Sequence, residues 1–231
     1  MKEYFTKPFE KALCWFFPRR CAICGRVVAL DEDLCEECRN LKRIEPPRCL
    51  QCGRAKTDCI CKGAKREYDG ITAPFYYKDI LVTAVHNFKF HEQPLLARKM
   101  GEEMALSVKE TFSDVSFDVI TCVPLSKRRK NDRGYNQAEL LARSVSKNLG
   151  IPYSELLRKV VNNKVQHKEN ARVRKINVYG VYDLIDGVDV NGKTVLLVDD
   201  VKTTGSTLNE CAKMLKMHGA EKVFVVTFVI V

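Results

Sequence analysis

The sequence predicts an α/β protein in which a parallel β-sheet carries helices on both faces and follows a small cysteine-rich module. Strand-length apolar segments alternate with helical segments from residue 68 onward, and this alternation is typical of parallel sheets that are covered on both sides. Eight of the 11 cysteines lie between Cys21 and Cys61, so the module precedes the sheet. The length of 231 residues accommodates one domain of about 150 residues and one small module.

Residues 1–17 are predicted to form a helix that ends before Pro18. Its apolar residues are spaced so that they form a stripe along one face of the helix. Such a stripe is typical of a helix that packs against its own protein, and a helix docked on a membrane surface or on a partner is the alternative. The segment contains Glu3 and Glu10 and lacks a continuous apolar stretch with a cleavage site, so it does not resemble a secretory signal. The stripe consists of Tyr4, Phe5, Phe9, Leu13, Phe16 and Phe17.

Residues 18–68 are predicted to fold around metal ions, because they contain few aliphatic residues and many paired cysteines. Three pairs have the spacing Cys-x2-Cys and the fourth has the spacing Cys-x-Cys. Short turns of this kind bring two thiolates to one tetrahedral zinc ion. We favour sequential pairing, with one zinc for each four neighbouring cysteines, and a crossed arrangement or a single occupied site is the alternative. The predicted ligands are Cys21, Cys24, Cys35, Cys38, Cys49, Cys52, Cys59 and Cys61.

A zinc ion with four protein ligands has no open position, so these sites are expected to be structural rather than catalytic. The remaining cysteines, Cys14, Cys122 and Cys211, are expected to be small buried hydrophobes. Metal binding is favoured over disulfides because a protein without a secretory signal is expected to stay in the cytoplasm.

Residues 69–231 are predicted to form the α/β domain. Its last apolar run, residues 223–231, is nine residues long, whereas a helix that spans a bilayer needs roughly 20. We therefore interpret this run as a central strand and predict no transmembrane segment. The expected strands are 71–77, 117–123, 194–198 and 223–231, and the expected helices begin near Asp79, after Pro94, near Tyr135 and at Thr207.

Residues 195–207, VLLVDDVKTTGST, form the most informative motif. Hydroxyls and backbone N–H groups at the start of a helix can surround a phosphate, and Gly205 lets the backbone approach it closely. At the C-terminal edge of a parallel sheet, Asp199 and Asp200 can both reach a ligand crevice, where carboxylates accept hydrogen bonds from sugar hydroxyls. Helix capping by the aspartates is the alternative. A Walker-type nucleotide loop is excluded, because GxxxxGK[ST] does not occur.

This motif resembles the signature loop of the type I phosphoribosyltransferases. The resemblance implies that the two acidic residues hold the ribose hydroxyls of 5-phosphoribosyl-1-pyrophosphate (PRPP). It also implies that the TTGST-like loop holds the 5′-phosphate. The matching residues are Asp199, Asp200, Thr203, Thr204, Gly205, Ser206 and Thr207.

The resemblance also implies a pyrophosphate-binding loop after an earlier strand, matched here by Pro124, Leu125, Ser126, Lys127, Arg128 and Arg129. Cations at the end of a strand suit pyrophosphate, and a solvated run of charges is the alternative. The next helix opens with residues that fit either a structural turn or the edge of a ligand site. These residues are Arg133, Gly134, Asn136 and Gln137.

PLSKRR at 124–129 and QHKENARVRKINVYGVY at 166–182 sharpen the resemblance. The chain is similar to the ComF family of competence-associated, phosphoribosyltransferase-like proteins over nearly its whole length, including a double zinc ribbon. This resemblance implies a mobile hood over the ligand, with Gln166, Arg174 and Asn177 in matching positions. Glu169 stands where relatives commonly have leucine, a departure that concerns how the hood packs. Lys89 and Phe90 match another family pattern and are expected near the crevice.

The ComF resemblance implies a role in DNA uptake during natural transformation, with a DNA-translocating helicase as partner. It implies PRPP binding with Mg²⁺, structural zinc, and transfer of the phosphoribosyl group to an acceptor for which no motif is visible. The expected location is cytoplasmic, with peripheral attachment to the membrane-associated uptake machinery.

Residues 126–175 contain 14 Lys and Arg but only four Asp and Glu. Such a basic face suits the phosphate backbone of single-stranded DNA as well as it suits pyrophosphate. The alternative function is therefore a non-catalytic module that binds single-stranded DNA and a helicase partner through the phosphate crevice and the basic face.

Overall fold

The computed structural model of the chain describes residues 18–61, 63, 65–90, 94–126, 131, 134–160 and 181–231. The helix predicted over residues 1–17 lies outside the described residues. The described segments contain the cysteine-rich module and a parallel sheet with helices, in the predicted order.

A parallel sheet forms the centre of the domain. The strands of the chain are β1 (Gly70–Thr72), β2 (Phe75–Tyr76), β3 (Val119–Cys122), β4 (Leu157–Lys159), β5 (Tyr182–Leu184), β6 (Thr194–Lys202) and β7 (Lys222–Ile230). In the sheet they run in the order β1, β7, β6, β3, and β2 also pairs with β7. β4 and β5 form a separate antiparallel pair. The strand at residues 223–231 is therefore central, as predicted.

Helices cover both faces of this sheet, because successive side chains of a strand point to opposite faces. Leu196 and Val226 belong to a core formed with the first three helices of the sheet domain, whereas Leu197 and Val225 belong to a core formed with its last helix. Each such side chain contributes about 1.5–3 kcal/mol when it is fully buried. The helices are α1 (Glu36–Arg39), in the module, and α2 (Ile80–Phe90), α3 (Pro94–Thr111), α4 (Gln137–Leu149) and α5 (Ser206–Met217).

Two predicted strands have different bounds in the structure. Residues 71–77 are divided into β1 and β2 on either side of Pro74, which has no N–H group to donate to the ladder. β6 continues to Lys202 instead of ending at Val198, because its pairing with the long strand β7 extends past the two aspartates. Asp199 and Asp200 consequently lie inside the C-terminal part of β6 rather than after it.

The cysteine-rich module contains two turns that are built in the same way. The N–H of Gly25 donates to the carbonyl of Cys21 at 2.9 Å, and the N–H of Gly53 donates to the carbonyl of Cys49 at 2.7 Å. Both glycines have left-handed backbones, with φ of 76° and 81°, which glycine adopts without steric cost. Each turn brings the two cysteines of one Cys-x2-Cys pair together.

The first turn of the module packs against α2. Cys21, Cys24 and Ile23 are buried in the same core as Leu81 of α2. Nδ2 of Asn87, near the end of α2, donates to the carbonyl of Cys24 at 2.9 Å. The module is therefore joined to the sheet domain by apolar packing as well as by the chain.

α3 and α4 cross closely at Gly101. A Cβ atom at this position would overlap with the side chain of Ser144 and would lie 3.3 Å from its carbonyl carbon. We expect Gly101→Ala to lower the free energy of unfolding by about 1–3 kcal/mol, the usual cost of overpacking, as measured by urea denaturation. In a double-mutant cycle, Ser144→Gly should lower the free energy of unfolding less in the Gly101→Ala background than in the wild type, because it removes the crowded side chain. Equal costs in the two backgrounds would contradict the crowding.

Candidate functional site

A crevice opens at the carboxyl ends of β3 and β6, the edge at which open α/β sheets bind ligands. Several residues predicted from the motifs line it together. Lys89, also expected near the crevice, is part of the lining, as are four residues that were not among the predicted site residues. The predicted residues in the lining are Pro124, Leu125, Ser126, Asn136, Gln137, Asp199, Asp200 and Thr207, and the others are Val123, Ala138, Lys159 and Tyr182.

Two carboxylates lie side by side near the end of β6. The backbone N–H of Asp200 donates to Oδ1 of Asp199 at 2.9 Å, and Nζ of Lys89 lies 3.4 Å from Oδ2 of Asp200. Burial, and then the neighbouring charge of Asp200, raise the pKa of Asp199 well above its ordinary value. Hydroxyl donors or a cation would relieve the repulsion between the two carboxylates, so the pair is suited to receive either one.

The raised pKa of Asp199 means that ionisation of this carboxyl opposes folding. The free energy of unfolding begins to fall as pH rises through about 3.9, the pKa of the carboxyl in the unfolded chain. It stops falling above the raised pKa of the carboxyl in the folded chain. We expect Asp199→Asn to raise the free energy of unfolding by about 1–3 kcal/mol at pH 7, because the amide removes a carboxyl that ionises freely in the unfolded chain but is disfavoured as an anion at this buried position.

This gain should shrink as pH falls toward the unfolded pKa of about 3.9 and should vanish below it, where the carboxyl is neutral in both states. Denaturant titrations of the wild type and of Asp199→Asn across this range measure the effect. Asp31→Asn, at an exposed position of the module, is the control. A gain that does not change with pH would contradict the explanation.

The turn between β6 and α5 carries the hydroxyl-rich part of the motif. Gly205 has a left-handed backbone with φ of 80° and immediately precedes the first residue of α5. Oγ1 of Thr204 lies 2.9 Å from Oγ of Ser206 and also accepts a hydrogen bond from the N–H of Ser206. Thr207 lines the crevice, whereas Thr203, Thr204 and Ser206 are exposed and Gly205 is buried outside the lining. The structure therefore brings one residue of the hydroxyl-rich segment, Thr207 in the first turn of α5, into the crevice itself.

Asn136 begins α4 and also holds the end of β3. Its Oδ1 accepts a hydrogen bond from the N–H of Ala138 at 3.1 Å, and its Nδ2 donates to the carbonyl of Val123 at 3.2 Å. Asn136 thus acts as a helix cap and as a structural connection while it lines the crevice. Gly134, two residues earlier, is exposed outside the lining and has φ of 79°.

The same helix opening holds the end of α2. Nε2 of Gln137 donates to the carbonyl of Lys89 at 3.3 Å, and the hydroxyl of Tyr135 donates to the carbonyl of Phe88 at 2.6 Å. These bonds fix the backbone from which Lys89 extends toward Asp200. This segment therefore makes structural hydrogen bonds and also lines the crevice, and its contact with a ligand stays a prediction.

Seven predicted site residues lie outside the described residues and remain predictions. They are Lys127, Arg128 and Arg129 of the pyrophosphate loop, Arg133 of the helix opening, and Gln166, Arg174 and Asn177 of the hood.

Sequence reasoning missed Lys159 and Tyr182. They are paired across β4 and β5, and Nζ of Lys159 lies 5.4 Å from the centroid of the Tyr182 ring. Each strand is only three residues long, too short for a periodic pattern to identify it. Only the fold brings them to the crevice.

Positive groups surround the two carboxylates. α4 and α5 both begin at the crevice, with Gln137 and Thr207 in their first turns, and a helix N-terminus is equivalent to about half a positive charge. Lys89 and Lys159 add two ammonium groups. The crevice therefore combines acceptors for hydroxyl groups with a positive environment for phosphate groups.

The eight predicted metal ligands form two groups of four. Within each group the sulfur atoms all lie within 4.8 Å of one another. The Sγ–Sγ distances are 3.6 Å for Cys24 and Cys35 and 3.8 Å for Cys49 and Cys61. Zn–S bonds of about 2.3 Å in a tetrahedron require about 3.8 Å between sulfurs, so the residues fit zinc. The groups are the sequential ones, Cys21, Cys24, Cys35 and Cys38, then Cys49, Cys52, Cys59 and Cys61.

Comparison with known proteins agrees with this architecture. Residues 12–71 match the family model of the double zinc ribbon domain, and residues 135–230 match that of the phosphoribosyl transferase domain. Competence protein F of Haemophilus influenzae is 32% identical over 220 residues, which cover 90% of this chain and 95% of that protein. The chain belongs to the competence protein F family. Its predicted fold class, a phosphoribosyltransferase-like sheet domain after a zinc ribbon, is confirmed, and the family model together with the cysteine groups supports structural zinc.

Other relatives of this competence protein F family member cover most of its length. DNA utilization protein YhgH of Escherichia coli is 31% identical over 207 residues, which are 88% of this chain and 86% of that protein. Competence protein ComFC of Bacillus subtilis is 28% identical over 200 residues, which are 82% of this chain and 80% of that protein.

Among solved structures, the chain is similar to glutamine PRPP amidotransferase from Bacillus subtilis complexed with ADP and GMP. The TM-score is 0.43 with 25% identity, over 62% of this chain and 30% of that chain. Adenine phosphoribosyltransferase gives a TM-score of 0.39 with 18% identity, over 58% and 71% of the two chains. Within the described parts of this chain, no helix has the length and apolarity needed to cross a membrane.

Proposed function

We propose that this chain binds PRPP with Mg²⁺ in the crevice at the ends of β3 and β6. One observation carries the proposal: two carboxylates of β6 share a crevice with two helix N-termini and two lysines. PRPP presents ribose hydroxyls, which donate to carboxylates, and phosphate groups, which accept from N–H groups and ammonium groups. The match of residues 135–230 to the phosphoribosyl transferase domain supports the same ligand.

In the proposed complex, Asp199 and Asp200 accept hydrogen bonds from the ribose hydroxyls. The N–H groups at the start of α5, with the hydroxyls of Thr203, Thr204 and Ser206, hold the 5′-phosphate. The backbone after β3 and the ammonium of Lys89 receive the pyrophosphate. Bound Mg²⁺ would neutralise part of the pyrophosphate charge, with oxygen ligands from the ligand and from the carboxylates.

The reaction that fits this ligand is phosphoribosyl transfer. The bond between C1 of the ribose and the pyrophosphate oxygen breaks, the electron pair leaves with pyrophosphate, and a nucleophilic acceptor forms a new bond to C1. The chain would hold the ribose and stabilise the developing charges, which is catalysis by positioning and electrostatics.

Isothermal titration calorimetry of the zinc-loaded full chain with PRPP tests the proposal. We expect one binding site and weaker binding without Mg²⁺. Ribose 5-phosphate and pyrophosphate, titrated separately, should each bind more weakly than PRPP, because each contacts only part of the crevice. If PRPP with Mg²⁺ produces no binding heat at several temperatures, the ligand assignment is wrong.

Lys89→Met should weaken PRPP binding about tenfold, because it removes one charge-assisted hydrogen bond of about 1.5 kcal/mol. The matched control is Lys99→Met, since Lys99 of α3 also pairs with a carboxylate, Glu102 at 2.8 Å, but does not line the crevice. Calorimetry on the two variants measures the difference. Equal affinities would contradict a role for Lys89 at the ligand.

We further propose that this chain acts in DNA uptake during natural transformation, with a DNA-translocating helicase as its partner and a cytoplasmic location. The names of its relatives, competence protein and DNA utilization protein, support this role. The basic composition of residues 126–175 favours contact with single-stranded DNA. Titration of single-stranded DNA with and without PRPP tests where the DNA binds. Weaker DNA binding in the presence of PRPP would indicate that both bind in the crevice, and unchanged DNA binding would indicate that the DNA binds at another surface.

A further inference from the structure

Asn136, which precedes α4, carries an amide group that helix capping uses only in part. The residue is buried, with 8% of its surface exposed. Its Oδ1 caps the helix by accepting from the N–H of Ala138 at 3.1 Å. Its amide nitrogen, which capping does not use, lies 3.2 Å from the carbonyl oxygen of Val123 and 3.6 Å from Sγ of Cys122. An amide nitrogen has two hydrogens, so Asn136 can donate to both atoms at the end of β3.

The backbone pairing of β3 with β6 ends at Val123. The N–H of Val123 donates to the carbonyl of Val198 at 3.0 Å, and the next residue, Pro124, has no N–H group. The carbonyl of Val123 accepts the hydrogen bond from Asn136. This carbonyl and the nitrogen of Pro124 belong to one planar peptide group, so the hydrogen bond sets the direction in which the chain leaves the strand.

The segment that leaves β3 is one of two that the proposed complex assigns to pyrophosphate. Its first residues, 124–126, line the crevice together with Asn136. The other segment ends at Lys89, whose carbonyl accepts from Nε2 of Gln137 at 3.3 Å. The start of α4 therefore holds both segments in place, whereas the carboxylates proposed for the ribose lie on β6, which is paired with β7.

We infer that Asn136 is a positioning residue for the pyrophosphate half of the crevice. It holds the peptide group between Val123 and Pro124 and thereby fixes the path of the chain along that half. A residue with only an acceptor oxygen would cap α4 and leave this peptide group without its anchor. The inference rests on the proposed PRPP site, because that proposal assigns the segment after β3 to pyrophosphate.

The variant Asn136→Ser separates positioning from capping, because serine caps helices about as well as asparagine but has no amide donor. Calorimetry on the zinc-loaded full chain with Mg²⁺ measures the binding of three ligands. We expect the affinities for pyrophosphate and PRPP to fall by about three- to tenfold, the scale of one hydrogen bond. The affinity for ribose 5-phosphate should not change.

The matched control is Asn148→Ser, near the other end of α4. Nδ2 of Asn148 also donates to a backbone carbonyl, that of Ser144 at 2.8 Å, but Asn148 is exposed and does not line the crevice. This variant should bind all three ligands as the wild type does.

Hydrogen–deuterium exchange measures the anchoring without any ligand. The N–H of Val123 should exchange faster in Asn136→Ser than in the wild type or in Asn148→Ser, because the end of β3 then opens more often. Asn136→Asp keeps the size of the side chain and the cap but also lacks the amide donor. It should show the same faster exchange, which keeps the test decisive if Asn136→Ser does not fold.

The outcomes distinguish this inference from the proposed function. Unchanged pyrophosphate affinity in a folded Asn136→Ser chain would overturn the positioning role, and so would an equal loss of affinity for ribose 5-phosphate. Unchanged exchange of the Val123 N–H would overturn the anchoring. A wild type that binds neither PRPP nor pyrophosphate would refute the proposed function and the positioning role with it, and the exchange rates would still decide whether Asn136 anchors β3.

Discussion

The double variant Asp199→Ala, Asp200→Ala is expected to lose at least about a hundredfold in affinity for PRPP. A hydrogen bond to a charged group contributes about 1.5–3 kcal/mol, and two such acceptors for the ribose hydroxyls are removed, so at least about 3 kcal/mol is lost. The sheet should persist, because the removed carboxylates repel each other and β6 is held by β7 and β3. Calorimetry with PRPP and Mg²⁺ measures the loss.

The matched control is Asp186→Ala, Asp189→Ala, which removes two aspartates from the connection between β5 and β6 that do not line the crevice. Thermal unfolding of both double variants monitors their fold. The control should bind PRPP as the wild type does. A folded Asp199→Ala, Asp200→Ala chain with wild-type affinity would refute the assignment of the ribose site to β6.

Removal of zinc is expected to unfold residues 18–61 and to lower the unfolding temperature of the whole chain. Structural zinc sites bind with about 10–16 kcal/mol in small peptides, and this module has little apolar packing of its own to replace them. Its buried residues share a core with α2, so unfolding of the module would also expose one face of that helix. Limited proteolysis of the chelator-treated chain should cut first within residues 18–61.

Single cysteine variants distinguish metal ligands from other cysteines. Cys24→Ser should bind one zinc ion per chain instead of two and should unfold at a lower temperature. Cys211→Ala removes a buried thiol outside both groups, and it should keep two zinc ions. The prediction fails if the chelated chain retains the proteolysis pattern and unfolding temperature of the zinc-loaded chain.

The sequence was sufficient for the fold class because each of the main elements carries its own local signal. Each signal lies within a few residues of the element that it predicts, as in the apolar run at 223–231, the glycine after α4 and the cysteine spacings. The length of β6 was not predictable in this way, since the pairing of Val201 with Val229 depends on a partner far along the chain. A local apolar pattern ends at Val198, where the first carboxylate begins.

The residues that line the crevice were predicted where they belong to one continuous motif, and they were missed where only the fold brings them together. Asp199, Asp200 and Thr207 belong to one motif, and the structure brings them to one crevice. Lys159 and Tyr182 reach the same crevice from two short strands, and neither strand has a pattern of its own. The hydrogen bonds from Tyr135 and Gln137 to the end of α2 also depend on tertiary contacts that no local pattern reports.

The extension of β6 to Lys202 has a consequence for the thermodynamics of ligand binding. Asp199 and Val201 are paired with β7 before any ligand arrives, so the backbone that carries the carboxylates is already ordered. Ordering a residue on binding would oppose association by about 1–2 kcal/mol of conformational entropy. A site built on a strand avoids this cost for its acidic half, so the proposed affinity for a sugar would depend mainly on the hydrogen bonds that the two carboxylates form.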